Sequence, residues 1–188
     1  ISRSEALTLY VDDGPLTLDP AVAQESQSIQ YIMQIFSGLV SFDPDLTLKP
    51  ELAEEWSISD DGTEYTFKLR ENAKFHDGRQ VTAQDVKFSW ERAAGLGFSP
   101  TIGTYLDDVV GAQAMIDGET DAISGVEAAD DQTLKVTIDA PKAYFLSNLS
   151  HPVTYVVDRL SIEAAEGEIL PWWVTPNATG PFKMNLWE

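Results

Sequence analysis

Between Lys49 and Ala94 the spacing of hydrophobic and polar residues changes period once, from two residues to that of a helix. Trp56 and Ile58, and then Tyr65, Phe67 and Leu69, alternate with polar residues as in half-buried strands. Asp60-Asp61-Gly62 stands between the two runs. Aspartate bonds back to its own chain and glycine reaches positive φ without a Cβ clash, so a hairpin is predicted. Its second strand has aromatic residues on one face and Glu64, Thr66, Lys68 and Arg70 on the other. His76-Asp77-Gly78 predicts a second turn. Thr82 followed by Asp85 matches a capping box, in which hydroxyl and carboxylate satisfy free amides of the first helical turn. Val86, Trp90, Ala93 and Ala94 then share one side at helical spacing, which predicts a core-facing stripe.

The same rules extend along the chain. Leu7, Leu9 and Val11 predict a short opening strand, followed by a loop through Leu18-Asp19-Pro20. From Ser28 onward, Ile29, Ile32, Met33 and Phe36 mark a helix that Gly38 closes as a C-terminal cap, and Leu39–Phe42 reads as a strand. After a glycine- and proline-containing loop over 95–103, a helix is predicted from Tyr105 to Ile116, ended by Asp117-Gly118. Val126 to Asp139 repeats the hairpin pattern around Asp130-Asp131. Pro141 opens a predicted helix running through Tyr144, Phe145 and Leu149 and stopping before His151-Pro152. Val153–Val157 and Gly180–Trp187 read as strands. There is no internal repeat and no low-complexity linker. The expected class is α/β, a mixed and partly antiparallel sheet with packed helices.

Composition narrows the chemistry. The 188 residues suit one ordinary domain or a piece of a larger one, and 43% hydrophobic with 23% charged residues are globular values. A net charge of −19 repels phosphate backbones and anionic lipid heads, which excludes nucleic acid as a partner and otherwise reads as a solvated surface. Cysteine is absent, so these residues hold no disulfide, thiolate nucleophile or cysteine zinc site. No run approaches the roughly 18 apolar residues of a membrane span, and ISRSEALTLYV at the start lacks the regions of a signal peptide. An exported protein with its signal removed fits equally.

Candidate reactive groups weigh against catalysis. His76 and His151 lack a two-ligand spacing and read as a turn residue and a helix-end residue. Glu51, Glu54, Glu55, Asp60 and Asp61 sit in polar, turn-rich surroundings rather than facing each other across a sugar cleft. No G-x-S-x-G elbow, Walker loop or H-E-x-x-H pair occurs. Trp56 and Trp90 fall on predicted core faces, whereas Trp172-Trp173 fits pocket lining and edge cover equally. The sequons at Asn148 and Asn177 are too short to carry weight.

Laid in order, LDP (18–20), FSGLVSFDPDLTLKPELAEEW (36–56), YTFKLRENAKFHDG (65–78), TAQDVKFSWERA (82–93), VEAADDQTLKVTI (126–138) and TGPF (179–182) resemble the successive blocks of the extracellular solute-binding proteins of family 5. Ser99-Pro100 with Tyr105-Leu106, and Tyr144-Phe145 with His151-Pro152, are most similar to the oligopeptide-binding branch. The resemblance implies a type II periplasmic-binding-protein-like fold, in which two lobes close over a peptide and deliver it to an ABC permease. Family members are much longer, so it also implies an N-terminal part: 1–38 and 158–188 in a ligand-facing subdomain, 39–157 in an accessory subdomain, and the C-terminal lobe absent. The segment after LDP approaches ligand main chain in the family, which makes Gln24, Glu25 and Ser26 the first ligand-binding candidates. Thr101 stands where oligopeptide binders carry a contacting tyrosine, and Tyr105 is the alternative. The carboxylate that pairs the ligand's amine belongs to the missing lobe. The expected protein is a monomer with no cofactor, metal or catalytic residue. Its expected place is periplasmic or extracellular, with a lipid anchor left open. The rivals are another cargo on the same fold (a nickel chelate, an oligosaccharide or an opine) and a stand-alone interaction module.

Overall fold

The computed structural model describes residues 14–97 and 101–185. After a loop through Pro20 the chain forms α1 (Ser26–Ile35), then the strands β1 (Val40–Phe42), β2 (Leu48–Pro50), β3 (Ala53–Ile58) and β4 (Glu64–Leu69). Three helices follow, α2 (Ala83–Gly95), α3 (Ile102–Tyr105) and α4 (Ala112–Ile116). A second hairpin, β5 (Val126–Ala128) and β6 (Thr133–Thr137), precedes α5 (Phe145–Asn148), a 3-10 turn (Pro152–Thr154), α6 (Arg159–Ala164) and a last 3-10 turn (Trp172–Val174).

The two predicted hairpins join into one four-stranded sheet of order β3-β4-β6-β5, antiparallel at each pairing. Trp56 faces Phe67, Ile58 faces Tyr65, and Phe67 in turn faces Leu134, so the period-two pattern sets the register. Gly62 takes φ +74 in the Asp60-Asp61-Gly62 turn, a value that L side chains adopt only with strain. Helix α2 packs against β5 and β6 with Val86, Trp90, Ala93 and Ala94 buried, as its stripe predicts. Both arms of the capping box are made: Thr82 Oγ1 accepts from the Asp85 amide, and the Asp85 carboxylate accepts from the Thr82 amide. Full burial of a large apolar side chain such as Phe67 or Trp90 is worth about 1.5–3 kcal/mol. β1 and β2 pair separately.

Several expectations fail for reasons the structure shows. The helix predicted over Tyr105–Ile116 is divided into α3 and α4, because Val109 bridges to Ile138 and Gly111 turns at φ +82 where any Cβ would strike Ser124. The helix expected from Pro141 is reduced to α5. Helix α1 starts two residues early and buries Ser28, Ile32 and Ile35, while Met33 is half exposed. Gly38 is no cap: the helix ends at an extended Phe36, and Gly38 clears the Tyr155 ring, from which a Cβ would lie 2.9 Å. Val153–Val157 forms no strand. Its first part is the 3-10 turn, and Val156 and Val157 donate to the Ser37 carbonyl and to Ser89 Oγ. Gly180–Asn185 is irregular too, with the Gly180 and Phe182 amides bonded to Ile35 and Gln34 at the end of α1. The strand predicted at Leu7–Val11, the pair Ser99-Pro100 and the end of the last predicted strand lie outside the described residues.

Two apolar clusters result. The larger lies between the four-stranded sheet and α2 and includes Phe67, Trp90, Leu134 and Phe145. The smaller gathers Leu18, Ile32, Phe36, Tyr155, Val157 and Ala178 from the first and last parts of the chain, with Trp172 and Trp173 packed at its margin.

Candidate ligand-facing surface

The loop before α1 is built on Asp19, which is 5% exposed. Its carboxylate accepts from the Ala21 amide at 3.0 Å and from both terminal nitrogens of Arg92, Nη1 at 3.0 Å and Nη2 at 2.6 Å. Its carbonyl accepts from the amides of Val22 and Ala23 at 3.2 and 3.1 Å. This turn delivers the chain to Gln24 and Ser26, both exposed, at the start of α1. Glu25 between them is half-buried and folds its carboxylate back onto the loop, accepting from the Leu16 amide at 3.2 Å, the Gln24 amide at 3.3 Å and the Ser28 hydroxyl. Burial pushes the Glu25 pKa up, but the hydrogen bonds from Ser28 and the backbone amides outweigh it and hold the group below the usual carboxylate value. The Glu25 side chain therefore folds the loop, and Gln24 and Ser26 are the residues this strip exposes.

Thr101 is half-buried just before α3. Tyr105, at the end of that helix, stacks on the His151 imidazole, with centroids 3.9 Å apart and planes 15° apart. His151 Nδ1 accepts from the Val153 amide at 3.2 Å, and burial holds the ring's pKa below its ordinary value. Helices α1, α2 and α3 all pack on the 3-10 turn that follows His151, which gives the Gln24–Ser26 strip and the Thr101–Tyr105 helix a common support.

His76 is the turn residue expected. Its amide and Nε2–H donate to the carbonyls of Ala178 and Gly180, each at 2.8 Å, and the neighbouring Asp77 amide donates to Asn177 Oδ1 at 3.0 Å. Asn177 in turn donates through Nδ2 to Asp158 at 2.7 Å, so this sequon asparagine is engaged internally. Trp172 meets Phe36 edge-on at 6.2 Å and lies 5.3 Å below the Arg92 guanidinium carbon, so it covers the edge of the smaller cluster. It also lines an open depression of about 500 Å³ together with Ser161, Ile169 and Leu170. Two further depressions, beside Asp158 and beside Asp130-Asp131, are open as well, and none of the three is lined by Gln24, Glu25, Ser26, Thr101 or Tyr105.

Sequence reasoning missed a second, polar stripe on α2. Asp85, Ser89 and Arg92 follow one another at i, i+4 and i+7; Ser89 bonds to Val157, Arg92 to Asp19, and Asp85 shares Arg79 with Asp158. The spacing was visible, but only burial shows that the stripe faces protein rather than water. Among the described residues no group of three His, Asp or Glu could hold a metal ion, and no helix is long and apolar enough to cross a membrane.

Comparison with known proteins places this geometry. The model of "Bacterial extracellular solute-binding proteins, family 5 Middle" matches residues 47–188. Dipeptide-binding protein DppE of Bacillus subtilis (strain 168) is 34% identical over 187 residues, covering 96% of this chain and 34% of the relative. The probable deoxycholate-binding periplasmic protein YgiS of Escherichia coli (strain K12) is also 34% identical, over 92% of this chain and 33% of its own length. Among solved structures, Haemophilus influenzae OppA in complex with RPPGFSPFR superposes with a TM-score of 0.83 at 32% identity, over 90% of this chain and 34% of that one. The chain thus spans about a third of the length of these relatives. It shares their type II periplasmic-binding-protein fold, with antiparallel sheets and packed helices. By sequence and by structure alike, the chain belongs to the bacterial extracellular solute-binding proteins of family 5.

Proposed function

We propose that these residues form one wall of the ligand cleft of a peptide-capturing protein that works outside the cytoplasmic membrane and serves an ABC permease. The observation that carries this reading is the superposition of nine-tenths of the chain on an OppA solved with a bound peptide. The exposure of Gln24 and Ser26 at the start of α1 supports it, because backbone groups left free there can pair an extended ligand irrespective of its side chains. Thr101 offers no ring at the place of the contacting tyrosine. Tyr105, held against His151, is the alternative candidate. The two clusters support a ligand-facing subdomain made from the first and last parts of the chain and an accessory subdomain made from its middle, with Tyr155 and Val157 falling in the smaller cluster and Ala21 in the larger. Ile169 and Leu170, at 98 and 64% exposure in the lining of the depression beside Trp172, are apolar surface suited to burial by further chain. Closure of a second lobe over such a wall would expel water and commit the ligand.

The match to a probable deoxycholate-binding protein favours a second reading, a non-peptide cargo on the same fold. Native mass spectrometry of the product of the complete gene decides between them. The expected result is a heterogeneous set of co-purified peptide masses released on denaturation. A single non-peptide mass in their place would overturn the peptide assignment.

A further inference from the structure

Helix α2 lies between what the chain presents and what supports it. Its apolar stripe faces the sheet, and on its polar side Ser89 and Arg92 bond to Val157 and Asp19. At the first turn Arg79 joins Asp85 to Asp158, at 2.9 and 2.7 Å. One turn on, Ser89 Oγ donates to the Asp85 carbonyl at 2.7 Å and accepts from the Val157 amide at 2.9 Å. At the last turn Arg92 holds Asp19 through both terminal nitrogens. The side chains of this final pair are only 15% and 7% exposed. Desolvating two charges is costly, so such a pair persists only where its geometry is good. The planar fork of arginine supplies two parallel hydrogen bonds, which a lysine ammonium does not reproduce, with its central carbon 5.3 Å from the Trp172 ring centre.

Asp19 is itself the pivot of the turn, since its carboxylate and carbonyl hold the amides of Ala21, Val22 and Ala23. We propose that Arg92 is a positioning residue for ligand capture. Through Asp19 it fixes the turn that presents the main chain of Gln24, Glu25 and Ser26, and through α2 it makes that strip rigid with respect to the accessory sheet. A strip ordered before the ligand arrives loses less conformational freedom on binding. The inference rests on reading Gln24–Ser26 as ligand-facing, but its test involves no ligand.

The test is NMR-detected amide hydrogen exchange on the 188-residue chain, comparing Arg92→Lys and Asp19→Asn with the unaltered protein. The amides of Ala21, Val22 and Ala23 are expected to exchange about tenfold or more faster in each variant, as for the loss of a charged hydrogen bond. The ladder amides of β4 and β6 should be unmoved, and the double variant should be no faster than the worse single one. Asp19→Asn preserves shape and an acceptor oxygen, so it remains informative if Arg92→Lys folds poorly. Unchanged exchange at the three amides, or equal acceleration in the sheet, would overturn the proposal. Failure of the complete gene product to carry peptide would instead remove the peptide reading and leave the positioning result standing.

Discussion

Replacing Gly180 by alanine is expected to lower the free energy of unfolding by about 3 kcal/mol or more, at the upper end for overpacking with a lost hydrogen bond added. A Cβ at this position would lie 2.5 Å from the Ile35 carbonyl carbon, 2.6 Å from its oxygen and 2.8 Å from the Phe36 nitrogen. All three atoms are backbone, so no rotamer change relieves the contact. The Gly180 amide donates to Ile35 at 2.7 Å while its carbonyl accepts from His76, and moving the segment away from α1 would strain both bonds. The TGPF block is thus a close-approach point that ties the end of α1 to the His76 turn. Gly97→Ala serves as the control. Nothing lies within 4 Å of a Cβ there and φ is +65, so backbone conformation alone should cost about 1 kcal/mol. Urea denaturation of the two variants measures both effects, and a loss below about 1 kcal/mol for Gly180→Ala would contradict the packing argument.

Asp158→Ala is expected to cost about 3 kcal/mol at neutral pH, the low end for breaking a buried ion pair, because Arg79 retains Asp85. Asp158 is 2% exposed, and its carboxylate accepts from Arg79 Nη2 at 2.7 Å, the Leu160 amide at 3.2 Å, Ser161 Oγ at 2.8 Å and Asn177 Nδ2 at 2.7 Å. Truncation leaves these four donors without that acceptor and removes the N-cap of α6. Burial pushes the Asp158 pKa up, but hydrogen bonds from Asn177, Ser161 and Arg79, with the arginine charge, hold it below the ordinary value. A carboxylate whose folded-state pKa is depressed contributes stability above its unfolded value of about 3.9 and loses it as pH falls through the folded value. The difference in stability between the parent chain and Asp158→Ala should therefore be constant near neutrality and narrow below about pH 4. Urea titrations across that range, read as a difference, cancel the many other carboxylates of this acidic chain. A gap that persists undiminished into acid would contradict the role given to the charge.

What was legible in the sequence was whatever is decided locally. The two hairpins follow from alternation and from turn residues within a few positions, and the Thr82–Asp85 box closes within one helical turn. Val153–Val157 and Gly180–Asn185 were misread because β-branched or extended composition says nothing about partners. Their amides bond to Ser37, Ser89, Gln34 and Ile35, distant in sequence, and not to a ladder. The cap expected at Gly38 and the unbroken helix expected through Gly111 fail for a related reason. One glycine clears a ring contributed from position 155 and the other clears Ser124, and neither neighbour can be inferred from the adjoining sequence. At the candidate surface, the bonds that fold the Glu25 carboxylate back onto Leu16, Gln24 and Ser28 needed coordinates. The stripe of Asp85, Ser89 and Arg92 was written in the spacing, yet a polar stripe on a helix ordinarily faces water. Only Arg79, which joins Asp85 to Asp158, and the partners Val157 and Asp19 identify it as an internal joint.

The claim on which the account turns is that the described residues supply one side of a cleft and that capture needs an opposing side. Isothermal titration calorimetry with oligoalanine peptides, run in parallel on the 188-residue chain and on the product of the complete gene, addresses it directly. The account predicts saturable heat for the complete product and none in the micromolar range for the shorter chain. Micromolar binding by the 188 residues alone would contradict it.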